Sequence, residues 1–201
     1  MIGVVDYGVG NLFSLVSSLR FLGLQSCVTS EREVLEKCDR LILPGVGAFP
    51  DAMAKLKNAG LKEFLVAQAK EKPMLGICLG MQMLFEKSYE YGECPGLGLV
   101  EGEIRPLADD VRGLKIPHMG WNSLHLIGND ALFRFNREGE YVYFVHSFYA
   151  KGCEKSLTAT AEYGVEVTAA VHSGKVYGTQ FHPEKSGDAG LKMLKAFSEV
   201  V

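Results

Sequence analysis

The sequence predicts an α/β protein with a mostly parallel central sheet, helices on both faces, and antiparallel strands added in the second half. Two observations carry this. Up to about residue 85, short apolar runs alternate with stretches whose apolar residues recur at helical spacing, the pattern of a sheet wound with helices. Beyond residue 99 the strand-like runs follow one another directly, and Ser173-Gly174 reads as a hairpin turn, which makes part of that half antiparallel. The 201 residues contain no repeat, low-complexity segment or linker and are read as one domain, 1–201.

Residues 1–5 form the first predicted strand, followed by the glycine-rich turn Asp6-Tyr7-Gly8-Val9-Gly10-Asn11. Leu12, Leu15, Val16, Leu19 and Leu22 keep helical spacing, with Gly23 at a C-terminal cap position. This strand–turn–helix invites a dinucleotide reading, but Phe13 stands where the third glycine of that fingerprint belongs, and Asp6 would repel a pyrophosphate. The turn is better read as displaying backbone and Asn11 at a surface. Residues 24–28 are a second strand, and Ser30-Glu31-Arg32-Glu33 has capping-box spacing for a short helix. Residues 40–43 are a third strand running into Pro44-Gly45-Val46-Gly47, a loop at the carboxyl end of a strand, where open α/β sheets place ligands. Helical stretches follow at 51–58 and 61–70. Later strands are expected at 99–104, 123–126, 141–145, 156–162, 165–172 and 175–180, and a closing helix at 187–200.

Composition narrows the function classes. Hydrophobic residues at 47% and charged residues at 22% are those of an ordinary soluble globular protein. A net charge of -3 gives no reason to expect nucleic acid or an anionic membrane as a partner. The N-terminus begins on a strand rather than on a signal segment, and no run of roughly 18 apolar residues occurs. The five cysteines are scattered, odd in number and without a Cys-x-x-Cys pair. They predict neither a disulfide framework nor a zinc site, and a cytoplasmic setting fits them.

The chemistry concentrates at Pro73-Met74-Leu75-Gly76-Ile77-Cys78-Leu79-Gly80-Met81-Gln82. An apolar strand meets a cysteine between two glycines, and Leu79, Met81, Leu84 and Phe85 continue at helical spacing. Gly-x-Cys-x-Gly is the thiol version of the nucleophile elbow, and a helix starting there aims free N–H groups at the sulfur, which favours thiolate. A buried core cysteine is the competing reading. A thiolate nucleophile needs a base, and the base an orienting group. Among the histidines, His182 stands out in Phe181-His182-Pro183-Glu184, since in an extended segment residues i and i+2 share a side. Glu184 would then hold one imidazole nitrogen while the other faces Cys78; a plain surface loop is the alternative. His125 and His172 lie in ordinary strand contexts. Beside such an elbow, the 44–47 loop becomes a candidate for a second oxyanion donor.

Gly76-Ile77-Cys78-Leu79-Gly80, Pro44-Gly45-Val46-Gly47 and Phe181-His182-Pro183-Glu184 together resemble the class I (triad) glutamine amidotransferases, which have a flavodoxin-like fold. Residues 6–11, Pro117-His118-Met119-Gly120-Trp121-Asn122 and Tyr143-Phe144-Val145-His146-Ser147 are similar to the glutaminase subunits of imidazole glycerol phosphate synthase. The resemblance runs from Asp6 to Lys185. It implies hydrolysis of glutamine to glutamate and ammonia through a thioester, with Cys78, His182 and Glu184 as the triad. Leu79 and Val46 would supply the oxyanion hole, and Gly47, Gln82, Ser147 and Phe148 would bind glutamine. No cofactor or metal is implied. The implied partner is a (β/α)8-barrel cyclase in a heterodimer, which receives the ammonia and makes imidazole glycerol phosphate and aminoimidazole-carboxamide ribonucleotide for histidine biosynthesis. Asn11, Trp121, Tyr143 and Lys185 match interface positions; read without the family, Trp121 is a core aromatic and Lys185 a solvated lysine. Phe148 departs from relatives that often carry Tyr there, which matters only if a hydroxyl is used. The resemblance also implies activation by a peptide flip near Val46, which Gly45 and Gly47 would permit. Another class I amidotransferase, a non-catalytic relic and a free-standing cysteine hydrolase are the competing readings; the Trp121 run argues against the first and the intact triad against the second.

Overall fold

The computed structural model describes residues 1–200. Its first half winds β1 (Ile2–Val5), α1 (Leu12–Phe21), β2 (Ser26–Thr29), α2 (Arg32–Glu36), β3 (Arg40–Leu43), α3 (Phe49–Asn58), α4 (Lys62–Glu71), β4 (Met74–Ile77) and α5 (Leu79–Met83). Then come β5 (Phe85–Ser88), β6 (Cys94–Pro95), β7 (Val100–Pro106), β8 (His118–Ser123), β9 (His125–Leu126), β10 (Tyr141–His146), β11 (Phe148–Lys151), β12 (Leu157–Glu162), β13 (Glu166–Ser173), β14 (Val176–Thr179) and α6 (Gly187–Glu199).

The main sheet has the order β2-β1-β3-β4-β14-β13-β12-β9. Pairings from β2 through β14 are parallel and those beyond β14 antiparallel, which is the mixed sheet expected. Strands buried on both faces must carry apolar residues at every position, and β1 and β4 do. Alternate residues feed two separate cores. Val5, Leu41, Leu43 and Met74 pack with Phe49, Leu56 and Leu65 of α3 and α4. Val4, Ile42, Leu75 and Ile77 pack with Leu15 and Leu19 of α1 and Leu194 and Phe197 of α6. Helices therefore cover both faces. A four-stranded sheet (β11-β7-β5-β6) and the β10-β8 ribbon complete the chain.

Several local expectations are corrected. Leu84 and Phe85 do not continue the helix: α5 ends at Met83 and Phe85 opens β5. Leu97 N–H takes the Met83 carbonyl at 2.8 Å and Leu99 N–H the Leu84 carbonyl at 2.8 Å, so the 96–100 loop supplies the bonds a further helical turn would have made. The capping box at 30–33 does not form; Glu31 caps α2, and its N–H is held by Thr29 Oγ1 at 3.0 Å. The hairpin turn lies one residue later than expected, since Ser173 pairs with Val176 and leaves Gly174-Lys175 as the loop. A strand over 123–126 is replaced by β8 and the two-residue β9, and β5, β6 and β11 were not expected at all. Gly23 does follow α1 at φ 71, with Leu24 N–H bonded to the Leu19 carbonyl at 2.9 Å.

The tightest packing lies where α5 meets the sheet. A Cβ on Gly80 would stand 1.8 Å from the Leu43 carbonyl oxygen, and one on Gly76 2.7 Å from the Gly80 oxygen. Neither neighbour is a side chain able to rotate away. Gly80→Ala is expected to lower the unfolding free energy by roughly 2–4 kcal/mol, or to prevent folding. Urea denaturation followed by circular dichroism reads this, and an unchanged midpoint would contradict the packing described.

Candidate active site

Cys78 sits between β4 and α5 with φ 54 and ψ -112, in a backbone region that costs a non-glycine residue about 1–3 kcal/mol. It is held there by its own N–H, bonded to the Thr179 carbonyl at 2.7 Å, and by its carbonyl, which accepts from Gln82 N–H at 3.1 Å. The elbow expected from the sequence is therefore formed. Leu79 is the first residue of the helix, so its N–H has no carbonyl within the helix to bond.

His182 and Glu184 are both buried, and His182 Nδ1 donates to Glu184 Oε1 at 2.7 Å. The expected pair is formed, though not by an extended segment: Pro183–Lys185 is a 3-10 turn that brings the two side chains together. Burial opposes charge on the His182 ring, but Cys78 and Glu184 beside it outweigh that and raise its pKa to about 9. The other ring nitrogen, Nε2, is buried with no hydrogen-bond partner in the protein.

Cys78 and His182 line one cavity of about 280 Å³ together with Val46, Gly47, Leu79, Gln82, Ser147 and Phe148. All eight were picked out from the sequence. Glu184 lies behind His182 and, with Asn11, Gly45 and Val46, borders a small adjoining recess. The Phe148 contact runs through the backbone, since Gln82 Nε2 donates to its carbonyl at 3.0 Å; a hydroxyl on that ring is not needed for it. The same cavity is lined by Glu90, which sequence reasoning did not single out, and by Pro117, Val145 and His146, which stand in the matched runs but carry no assigned role there. Glu90 Oε2 accepts from the Phe49 N–H at 2.7 Å, and burial pushes its carboxyl above the usual range. Gln180, also missed, links Gln82 (3.0 Å) to the Cys78 sulfur (3.8 Å). Its place two residues before His182 was its only sequence signal.

The loop carrying Val46 is pinned from behind. Tyr7 Oη donates to the Pro44 carbonyl at 2.8 Å, and burial, with Cys78 adding to it, holds that phenol protonated far above its usual range. Gly45 is not a conformational spare: a Cβ there would lie 2.8 Å from the Gly80 nitrogen. A β-branched residue at 45 would disturb the elbow itself. Of the two glycines flanking Val46, only Gly47, at φ 98 and with open space around it, has the freedom expected of both.

The four residues matched to an interface lie near this site. Trp121 is 56% exposed, which excludes the core reading. It faces Tyr143 across β8 and β10, their rings edge to face at 6.1 Å, and Lys185 Nζ lies 5.9 Å from the Tyr143 ring. Met119 and Tyr141, also exposed, extend this face.

The model of the family described as glutamine amidotransferase class-I matches residues 3–200. The chain belongs to this family. It is 47% identical over 203 residues to the imidazole glycerol phosphate synthase subunit HisH of Caldanaerobacter subterraneus subsp. tengcongensis, covering 100% of this chain and 98% of that one. The subunit HisH of Bacillus licheniformis is 50% identical over 204 residues, covering 99% and 96%. Within the family, the chain therefore groups with the HisH subunits. Solved structures at 21% identity share the fold: one described as a glutamine amidotransferase (TM-score 0.75, 98% of each chain) and PurLQS from Thermotoga maritima (TM-score 0.72, 98% and 96%). No helix among the described residues is long and apolar enough to cross a membrane.

Two buried histidines beside the cavity have a consequence for stability. Burial lowers the His118 pKa to about 4; burial, with His118 and His182 nearby, lowers that of His146 to about 3 against the bond to the Phe148 carbonyl, which raises it. Both are neutral when folded, whereas unfolded histidine protonates below about pH 6.5. Their stabilising contribution is thus complete above that pH and is lost as the pH falls toward 4 and then 3. His118→Phe keeps a ring between Phe144 and Tyr163 (centroids at 4.6 and 4.0 Å). It is expected to reduce the loss of stability between pH 7 and pH 5 by roughly 1–2 kcal/mol. Denaturation at the two pH values measures this; an unaltered slope would mean that His118 is charged in the folded protein.

Proposed function

We propose that this chain is the glutaminase of imidazole glycerol phosphate synthase in histidine biosynthesis, with Cys78, His182 and Glu184 as its triad. The observation that carries the assignment is a strained cysteine elbow opening on the same cavity as a buried His–Glu pair whose free nitrogen has no other partner. The Cys78 sulfur, its proton passed to His182, attacks the side-chain amide carbon of glutamine. His182 protonates the departing ammonia, leaving a thioester, and then takes a proton from the water that releases glutamate. Glu184 keeps the ring oriented and stabilises its charged form. The tetrahedral oxyanion is met by the Leu79 N–H and by an N–H of the Val46 loop.

Gly47, Gln82, Ser147 and Phe148 hold the substrate in the cavity they line. Glu90 carries the only carboxylate among the lining residues and is assigned the α-ammonium of glutamine. One domain, 1–201, carries the whole activity in the cytoplasm, and the ammonia goes directly to a (β/α)8-barrel cyclase docked on Asn11, Trp121, Tyr143 and Lys185. Support for that face is its exposed aromatic surface and its closeness to the triad: the His182 N–H donates to the Tyr143 carbonyl at 3.0 Å.

The deciding experiment is glutamate release from glutamine by this chain, alone and with the cyclase and its nucleotide ligand. Strong turnover only in the complex is expected; equal turnover without the barrel would make the chain a free-standing hydrolase. Cys78→Ala should abolish glutamate release, and wild-type-like turnover would refute the nucleophile. Glu90→Gln should raise KM for glutamine about 10- to 100-fold with kcat little changed, the effect of removing one charge-assisted bond. An unchanged KM would remove Glu90 from the ammonium site.

A further inference from the structure

Outside the triad, the polar groups around the cavity form one continuous hydrogen-bonded chain. His146 Nδ1 lies 2.9 Å from the Phe148 carbonyl, and His146 Nε2 lies 3.0 Å from His118 Nδ1. His118 Nε2 is 3.3 Å from Asn122 Nδ2, which also donates to the Glu162 carbonyl at 2.8 Å. A carbonyl only accepts, so His146 Nδ1 carries a hydrogen. In a neutral ring Nε2 is then an acceptor and takes its hydrogen from His118 Nδ1, whose own Nε2 accepts from Asn122. Every link has one donor and one acceptor, and no other pair of neutral tautomers achieves this.

On the cavity side, the Phe148 carbonyl accepts a second bond, from Gln82 Nε2, whose other hydrogen goes to Gln180 Oε1; both are 3.0 Å. The preceding peptide is held by Leu107 N–H on the Ser147 carbonyl at 2.9 Å. With both amide hydrogens engaged, Gln82 offers only its Oε1, an acceptor, to a molecule entering the cavity.

We infer that His146 is a positioning residue for glutamine: its Nδ1–H fixes the Phe148 carbonyl and through it the Gln82 side chain, while His118 and Asn122 fix His146. The inference rests on the glutaminase reading above. It gives a purpose to a buried histidine pair that the triad mechanism does not use, and it ties the glutamine-binding wall to β8, the strand that carries Trp121.

Two variants separate positioning from packing. In His146→Asn the side-chain NH2 stands where Nδ1 stands and keeps the bond to Phe148. In His146→Gln the amide oxygen reaches the Nε2 position, accepting from His118, and the bond to Phe148 is lost. The measurements are KM and kcat for glutamine in the complex with the cyclase, and the rate at which iodoacetamide alkylates Cys78. Expected is a KM within about threefold of wild type for His146→Asn and raised about tenfold for His146→Gln, one hydrogen bond's worth. The alkylation rate should stay within about twofold in both, because neither variant replaces a group bonded to the Cys78 sulfur, which meets the Val145 carbonyl and Gln180. Equal KM shifts in the two variants, or a rise in KM matched by slower alkylation, would overturn the inference. A wild type that neither turns over glutamine nor is protected by it from iodoacetamide would instead overturn the glutaminase reading, and this inference with it.

Discussion

The close seating of α5 against β3 and β4 is the constraint on which the site depends. It requires that no side chain stand at 45, 76 or 80, where a Cβ would fall 2.7–2.8 Å or less from backbone atoms. Only at that separation does the chain turn from β4 into α5 within one residue, and that residue is Cys78, at φ 54. The strain at Cys78 is sustained by both its backbone hydrogen bonds and by the burial of Leu79, Met81 and Met83 in one core cluster. Three properties of the site follow from one contact: the thiol is lifted to the cavity, the first helical N–H is left free, and Gly45 brings the Val46 loop against the same helix.

The polar groups around the cavity divide into two kinds. Gln82 through both amide hydrogens, Gln180, His118 and His146 are engaged with one another, with Asn122, with the Cys78 sulfur and with the Phe148 carbonyl. Buried polar groups in that state are rigid, because any rotation would leave a donor or acceptor unpaired at a cost of about 1–3 kcal/mol. His182 Nε2 and Glu184 Oε2, by contrast, are buried without partners. The wall that shapes the cavity is thus held by hydrogen bonds on every donor, and the unpartnered buried atoms are confined to the His182–Glu184 pair.

Much of this was legible in the sequence where chemistry and local geometry coincide. The elbow is written in five consecutive residues, and the His–Glu pair lies two residues apart, so chain geometry alone joins them, whether the backbone is extended or, as found, turned. The parallel half of the sheet was legible because strands buried on both faces admit only apolar residues. Glu90, His146 and Gln180 were not legible, because what brings them to Cys78 is the packing of β5, β10 and β14, set by pairings far apart in sequence. The capping box failed for a related reason: Thr29, fixed by its place in β2, holds the Glu31 N–H, and the helix starts with Glu31 rather than Ser30 at its cap. Gly45 shows the reverse limit, since a glycine that reads as freedom in sequence is, in the fold, a requirement of close approach.

The strand pair β8–β10 joins these themes. Its residues alternate between the two faces, so Trp121 and Tyr143 stand on the outer one while His118 and His146 are turned into the protein. The same strand β10 accepts the His182 N–H at Tyr143 and gives the Tyr143 N–H to Ser186 Oγ at 3.0 Å. A displacement of this ribbon therefore reaches the site by two routes, one through the backbone of His182 and one through the histidine pair to Phe148 and Gln82. A partner bound on the outer face would bear on both routes without touching the cavity. The parts that such a displacement cannot easily move are the elbow and its glycine contacts, which belong to the main sheet. In this arrangement Cys78 is fixed by the core, whereas His182 and the wall formed by Phe148 and Gln82 are attached to the β8–β10 pair, so the two sides of the cavity are held by different parts of the fold.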